Sequence, residues 1–206
     1  MARIIDISQK LSEGIAVWPG DTAFEAFRVM DQTKGDPVTV GSVTMSLHTG
    51  THADAPLHFL RDGAGIADVA LDVFIGEALV IDCIDANKIE TTHMPETASD
   101  IPRLLFKTYK TQPECFENDF AYFTPEAATA LARLGVKLVG IDTPSVDPFD
   151  SKTLEAHKIL AEAGIAILEN LCLADVSAGR YELIALPLKL DGMDASPVRA
   201  ILREMD

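Results

Sequence analysis

The chain has 206 residues, 48% hydrophobic and 24% charged, and 17 Lys+Arg against 32 Asp+Glu leave a formal net charge of −15 at pH 7. A folded chain of this length buries roughly 70% of the surface its unfolded form exposes, so one ordinary globular domain needs neither disulfide staples nor disorder to explain it. The acidic balance, without any basic run, argues against nucleic acid and anionic membrane surfaces as partners, because Lys and Arg supply most of the affinity for phosphate backbones.

The longest apolar stretch, residues 69–84, is broken by Asp72, Gly76, Glu77 and Asp82 and falls short of the ~20 clean residues of a membrane span. Residues 1–16 carry Arg3, Asp6, Lys10 and Glu13, which leaves no uncharged core for a secretory signal, and a cytoplasmic location is expected. Cys83, Cys115 and Cys172 are odd in number and widely spaced. They suit neither a zinc ribbon nor a disulfide framework, and are expected to be ordinary buried or partly buried thiols.

In chain order, Ile4–Ile7 predicts a first short strand, and the Trp18-Pro19-Gly20-Asp21-Thr22 run is dense turn chemistry. Alternate apolar residues from Phe24 to Val29 predict a second strand. From Val43 to His48 the odd positions are apolar and the even ones polar, the period of a half-buried strand with His48 on its polar face at the end. Buried strands follow around Ala78–Ile84 and Leu104–Thr108, separated by a polar stretch through His93, Pro95 and Asp100 in which His93 reads as solvated. Thr124 as N-cap, Pro125 at the first helical position and Gly135 as terminator bound a helix. A strand over 136–142, a helix from Asp150 or Ser151 to Ala163 and a strand over 165–169 form a parallel crossover unit. Asp142 and Glu169 then end neighbouring strands, where open α/β sheets build their sites. The last strand is expected over Tyr181–Leu190, ahead of an Asp191-Gly192 turn. Without a repeat or linker, the chain reads as a single α/β domain, residues 1–206.

Three of the five histidines fall within eleven residues, His48-Thr-Gly-Thr-His52-Ala-Asp54-Ala-Pro-Leu-His58. All four polar donors occupy even positions, so wherever this segment is extended they project to one side. Pro56 disfavours a helical path for Ala55, and Gly50 permits a bend that brings His48 and His52 toward one point. Two imidazoles and a carboxylate at this spacing suit a borderline divalent ion, zinc above all, though the spacing does not say whether one ion binds or two. His157 lies on the inward stripe of the second helix, as a hydrogen-bonded core residue or as a ligand. Glu169 shares a strand face with Ile165 and Ile167, where a carboxylate is costly unless paired or bound to metal.

The run His48-Thr-Gly-Thr-His52-Ala-Asp54-Ala-Pro-Leu-His58-Phe59 closely resembles the HxGTHxDxPxHF motif of the metal-dependent cyclase-like hydrolase family. The Trp18–Thr22 loop and the Asp142–Asp147 segment resemble in particular the bacterial kynurenine formamidases (arylformamidases) of tryptophan breakdown. The likeness runs nearly end to end, through His157, Leu168-Glu169-Asn170-Leu171, Leu186-Pro187-Leu188-Lys189 and Asp194-Ala195-Ser196-Pro197-Val198-Arg199-Ala200. It implies an α/β fold of the swivelling β/β/α type, with a mixed sheet, a β-barrel-like core and flanking helices, assembled as a homodimer or larger. It implies two Zn2+ per chain, with Mn2+ as an alternative, held by His48, His52, Asp54, His157 and Glu169. Asp54 would bridge the ions and Glu169 would touch both.

It further implies His58 as proton donor and acceptor, Trp18 as a substrate-contacting aromatic, and hydrolysis of N-formyl-L-kynurenine to L-kynurenine and formate by a zinc-activated water. The rival readings are another amide hydrolase of the same family, such as an isatin hydrolase, and a non-catalytic metal-binding protein. The first shares the metal site and differs only in the pocket; the second has no use for His58 beside its ligands.

Overall fold

The structure is a computed structural model and describes residues 2–95 and 101–205; the expectation for Asp100 lies outside them. Thirteen strands and two α-helices are present among the described residues. The strands are β1 (Ile4–Asp6), β2 (Glu25–Met30), β3 (Val40–Thr44), β4 (His52–Asp54), β5 (Ile75–Asp82), β6 (Lys88–Ile89), β7 (Arg103–Lys107), β8 (Tyr122–Phe123), β9 (Leu138–Ile141), β10 (Ala166–Glu169), β11 (Gly179–Ile184), β12 (Ala195–Pro197) and β13 (Ile201–Glu204). The helices are α1 (Pro125–Arg133) and α2 (Glu155–Glu162).

Nine strands form one mixed sheet in the order β1-β13-β11-β5-β7-β9-β10-β4-β12. Its centre, β5-β7-β9-β10, is parallel, and both flanks are antiparallel. The sheet curls into a half-barrel, as expected of the fold class. The chain beyond β1 ties the curl together: the Ile7 N–H donates to Ala200 O at 3.0 Å, and Ile7 O accepts from the Cys172 N–H at 2.8 Å.

Alternation along the strands separates two cores. Leu105 and Leu168 face the inside of the curl with Ile7, Ala53, Phe74 and Leu183. Leu104, Phe106, Val139 and Ile167 face outward against Leu131 of α1 and Leu160 of α2. Because Ile167 points to the helices, Glu169 two residues on points there too, under α2.

The crossover is as expected: β9 and β10 are parallel neighbours joined through α2. Helix α1 is capped by Thr124, whose side chain accepts from the Ala127 N–H at 3.2 Å. Helix α2, expected from residue 150 or 151, begins at Glu155 instead. Leu154 at its N-cap adopts a left-handed conformation, φ 50°, and the capping falls to Asp147, which accepts from the Ala156 and His157 N–H groups at 3.1 and 3.0 Å.

Two further expectations are corrected. The alternating Val43–His48 segment is not a half-buried strand: β3 ends at Thr44 and pairs only with β2 in a separate hairpin, Val43 is 56% exposed, and His48 lies in a turn. Alternation alone does not distinguish a strand with one buried face from a hairpin standing off the body. The expected Tyr181–Leu190 strand stops at Ile184, after which Pro187 makes only an isolated bridge to Val198. No helix among the described residues is long and apolar enough to cross a membrane.

Candidate metal centre and substrate cavity

Strand β4 is the platform of the site. It lies between β10 and β12, with His52 opposite Glu169 and Asp54 opposite Ile167 and Ala195. His52, Asp54 and Glu169 therefore share the helix-covered face, while Ala53 and Leu168 turn into the curl. All three are buried, as is His157, which α2 lowers onto them. Gly50, at φ +66°, makes the bend that leads from His48 into β4. A Cβ there would meet Leu11 Cδ2 at 2.7 Å, so only glycine fits without displacement.

The donor atoms divide between the two oxygens of each carboxylate. Asp54 Oδ1 is 3.1 Å from His48 Nδ1 and 3.4 Å from His52 Nε2, and Asp54 Oδ2 is 3.6 Å from His157 Nε2. Glu169 Oε2 is 3.4 Å from His52 Nε2, and Glu169 Oε1 is 3.2 Å from His157 Nε2. Both Asp54 oxygens and His52 Nε2 are buried without a hydrogen-bond partner. Buried polar atoms of this kind are rare, because each forfeits its hydration. Their convergence, in an imidazole and carboxylate set, fits divalent cations. His52, Asp54 and Glu169 could form one ligand group, and His48, Asp54 and His58 a second.

The far ring nitrogens are tethered. His52 Nδ1 donates to Gly50 O at 2.8 Å and His157 Nδ1 to Asp147 Oδ2 at 2.7 Å, which turns each Nε2 toward the carboxylates. The cluster's own charge has the same sense. Burial disfavours ionised His52, yet the Asp54 and Glu169 carboxylates 3.4 Å from its Nε2 push it up to about 10. For Asp54, burial is outweighed by three imidazoles that hold its carboxyl well below the usual range. Protons thus offset carboxylate charge that a divalent ion would neutralise in their place.

His58 lies in the short turn Pro56–His58, just past β4. Its Nδ1 is 3.3 Å from Asp194 Oδ2. Partial burial depresses its pKa, in contrast to the raised values of His48 and His52. His93 stays apart, accepting through Nδ1 from the Glu90 N–H at 3.0 Å. Asp142 does end β9 beside the site, but it accepts from the Thr108 and Tyr109 N–H groups and the Thr108 hydroxyl, at 2.6–3.0 Å. Burial pushes it up to about 6, and these bonds occupy it.

The cluster opens into a cavity of about 530 Å³, whose lining includes His48, His52, His58, His157, Glu169 and Trp18. Trp18 packs against Phe149, Phe116 and Phe120, with ring centroids 5.1, 5.5 and 6.3 Å away. Five of the six candidate ligand and proton-transfer residues thus line one cavity together with Trp18, and the sixth, Asp54, is buried against His48, His52 and His157. Of the cysteines, Cys83 is buried and Cys172 half-buried, but Cys115 is exposed and lines the cavity, against the expectation of buried or partly buried thiols.

Residue-level reasoning assigned no role to Asp194, Asp147, Phe116 or Phe149. Asp147 and Asp194 sit inside segments that carry the family likeness. Phe116 and Phe149 lie in loops with no periodic pattern, and no local signal marks them.

A family model for the Cyclase family matches residues 5–148. Two solved structures are similar over 100% of both chains. One is described as a potential metal-dependent hydrolase with cyclase activity (TM-score 0.87, 30% identity), the other as a predicted metal-dependent hydrolase from Bacillus stearothermophilus (TM-score 0.85, 31% identity). Isatin hydrolase A from Labrenzia aggregata shares the fold, with a TM-score of 0.85 at 24% identity over 100% of this chain and 94% of that one. The chain belongs to the Cyclase family.

Proposed function

We propose that this protein is an arylformamidase: a metal-dependent hydrolase that cleaves N-formyl-L-kynurenine to L-kynurenine and formate, using two Zn2+ held by His48, His52, Asp54, His157 and Glu169. The observation that carries the reading is the cavity itself. Its lining combines His48, His52, His157 and Glu169 of the cluster, and His58, with the aromatic rings of Trp18 and Phe116, and Phe149 packs against Trp18. A volume of about 530 Å³ suits a small aromatic substrate. The described lining contains no Lys or Arg, while Asp21 and Glu117 are part of it. Asp21 and Glu117 can receive the ammonium of zwitterionic N-formylkynurenine, a group that neutral isatin lacks.

When bound, the ions would acidify a water toward neutral pH and polarise the formyl oxygen. The residues do the rest. Trp18 and its neighbours hold the aryl ring. Asp194 accepts a hydrogen bond from the His58 Nδ1–H, which leaves the Nε2 lone pair to relay a proton from the attacking water to the aniline nitrogen as the C–N bond breaks.

The test is a spectrophotometric assay of zinc-loaded protein with N-formyl-L-kynurenine, with and without chelator, isatin run in parallel and metal counted by mass spectrometry. The expected result is chelator-sensitive kynurenine release with about two zincs per chain. Turnover of isatin alone, or bound metal without turnover of either, would overturn the proposal in favour of an isatin hydrolase or a non-catalytic metal protein.

A further inference from the structure

Each imidazole of the site has a support on its outer nitrogen, and two of them share one. His48 Nε2 and His58 Nδ1 approach the same oxygen, Asp194 Oδ2, at 3.0 and 3.3 Å, with their rings 4.2 Å apart. An ionised carboxylate only accepts, so a proton sits on each of those nitrogens. In the neutral form of each ring this places the lone pair of His48 on Nδ1, which faces Asp54, and the lone pair of His58 on Nε2.

The backbone delivers Asp194 to this position. Ala195 is the ladder partner of Asp54, and Asp194 O accepts from the Ala55 N–H at 2.9 Å. The anchoring is through main-chain atoms, so the side chain, which is 42% exposed, is not needed to hold the loop.

We infer that Asp194 is a positioning residue with two tasks: it orients His48 as a metal ligand and sets the tautomer of His58 for proton transfer. Asp147 makes a comparison possible, because His157 is the one imidazole it supports, alongside its capping of α2. Replacing a carboxylate that orients a ligating histidine costs about 10- to 100-fold in metal affinity. Asp194→Ala and Asp194→Asn should both show that loss, and Asp147→Asn should show it too. Only the Asp194 variants should move the His58 tautomer.

The inference rests on the proposed hydrolysis for its kinetic part and is independent of it elsewhere. In full-length, zinc-reconstituted protein, long-range 1H–15N spectra of the histidine rings report tautomers, chelator competition reports Zn2+ affinity, and thermal melts check folding. The expected result for both Asp194 variants is a His58 ring that leaves the Nδ1–H form, weaker zinc binding, and, where N-formylkynurenine is turned over, a fall in kcat of about 10-fold or more with KM nearly unchanged. Folded Asp194 variants with an unaltered His58 tautomer and unaltered zinc affinity would overturn the inference. A wild-type protein inactive on N-formylkynurenine would sink the proposed reaction while leaving the tautomer and affinity results to decide the role of Asp194. Should Asp194→Ala melt early, the near-isosteric Asp194→Asn carries the test.

Discussion

His52 on β4 and Glu169 on β10 are direct partners across an antiparallel ladder, and their Nε2 and Oε2 atoms stand 3.4 Å apart. Partnered side chains share a sheet face, so this juxtaposition is set by backbone register. A slip of one residue in either strand would send that strand's own ligand, His52 or Glu169, into the core of the curl and turn Ala53 or Leu168 outward. The hydrophobic alternation that specifies the core therefore also aligns the ligands.

Metal removal should destabilise the fold. An ion bound only by the folded state contributes about 2.7 kcal/mol when present at 100 times its Kd. Zinc-loaded protein is expected to melt several degrees above chelator-treated protein, with a midpoint that rises with zinc concentration. In Glu169→Ala, scanning calorimetry should show this zinc dependence greatly weakened; equal midpoints in wild type with and without zinc would contradict the site.

His58→Ala separates proton transfer from ligation. The expected outcome is a loss of turnover on the order of 10²-fold or more, with the metal count unchanged by mass spectrometry. A variant that loses about one metal per chain would instead place His58 in the ligand group with His48 and Asp54, a grouping the geometry also allows.

Trp18→Ala should mainly raise KM, since ring binding is common to ground and transition states. The variant also loses the contact with Phe149, whose ring centroid is 5.1 Å away. Such aromatic pairs are worth about 0.5–1.5 kcal/mol beyond burial, so a small drop in melting temperature should accompany the KM change. As the single tryptophan, Trp18 also reports binding directly: its fluorescence should change on titration with a substrate analogue, and an unaltered signal with an unaltered KM would remove it from the cavity's working wall.

Gly50→Ala places a β-carbon on a residue at φ +66° and 2.7 Å from Leu11 Cδ2. The left-handed conformation alone costs about 1–2 kcal/mol, which lowers the melting temperature by roughly 2–8 °C at this chain length. Because the Gly50 carbonyl accepts the His52 Nδ1 proton at 2.8 Å, zinc affinity should fall in the same variant. A wild-type melting curve and zinc affinity would refute the strain argument.

Thiol labelling should be selective. Burial pushes Cys83 up to about 12 and Cys172 up to about 11, so neither forms appreciable thiolate below pH 9 in the folded state. Cys115 is exposed. Iodoacetamide at pH 8 should modify Cys115 first by peptide mass spectrometry, and an occupied cavity should slow that reaction. Unfolding should equalise the three sites.

The sequence by itself determined what depends on near neighbours: the donor types packed into 48–58, the bend at Gly50, the cap and terminator of α1, and the crossover that ends at Glu169. These features rest on side-chain period, Gly and Pro conformations and capping, all set within a turn or two of chain. The misplaced Val43–His48 strand and the late start of α2 show where such signals fail, since burial and the choice of Asp147 as cap depend on what packs against the segment. Only the tertiary structure decided that His52 faces Glu169 across a ladder, that Asp194 reaches His48 and His58 from over 130 positions away, and that Phe116 and Phe149 flank Trp18. Those contacts follow from strand order, register and the curl of one sheet, which are outcomes of global packing that no short window of sequence contains.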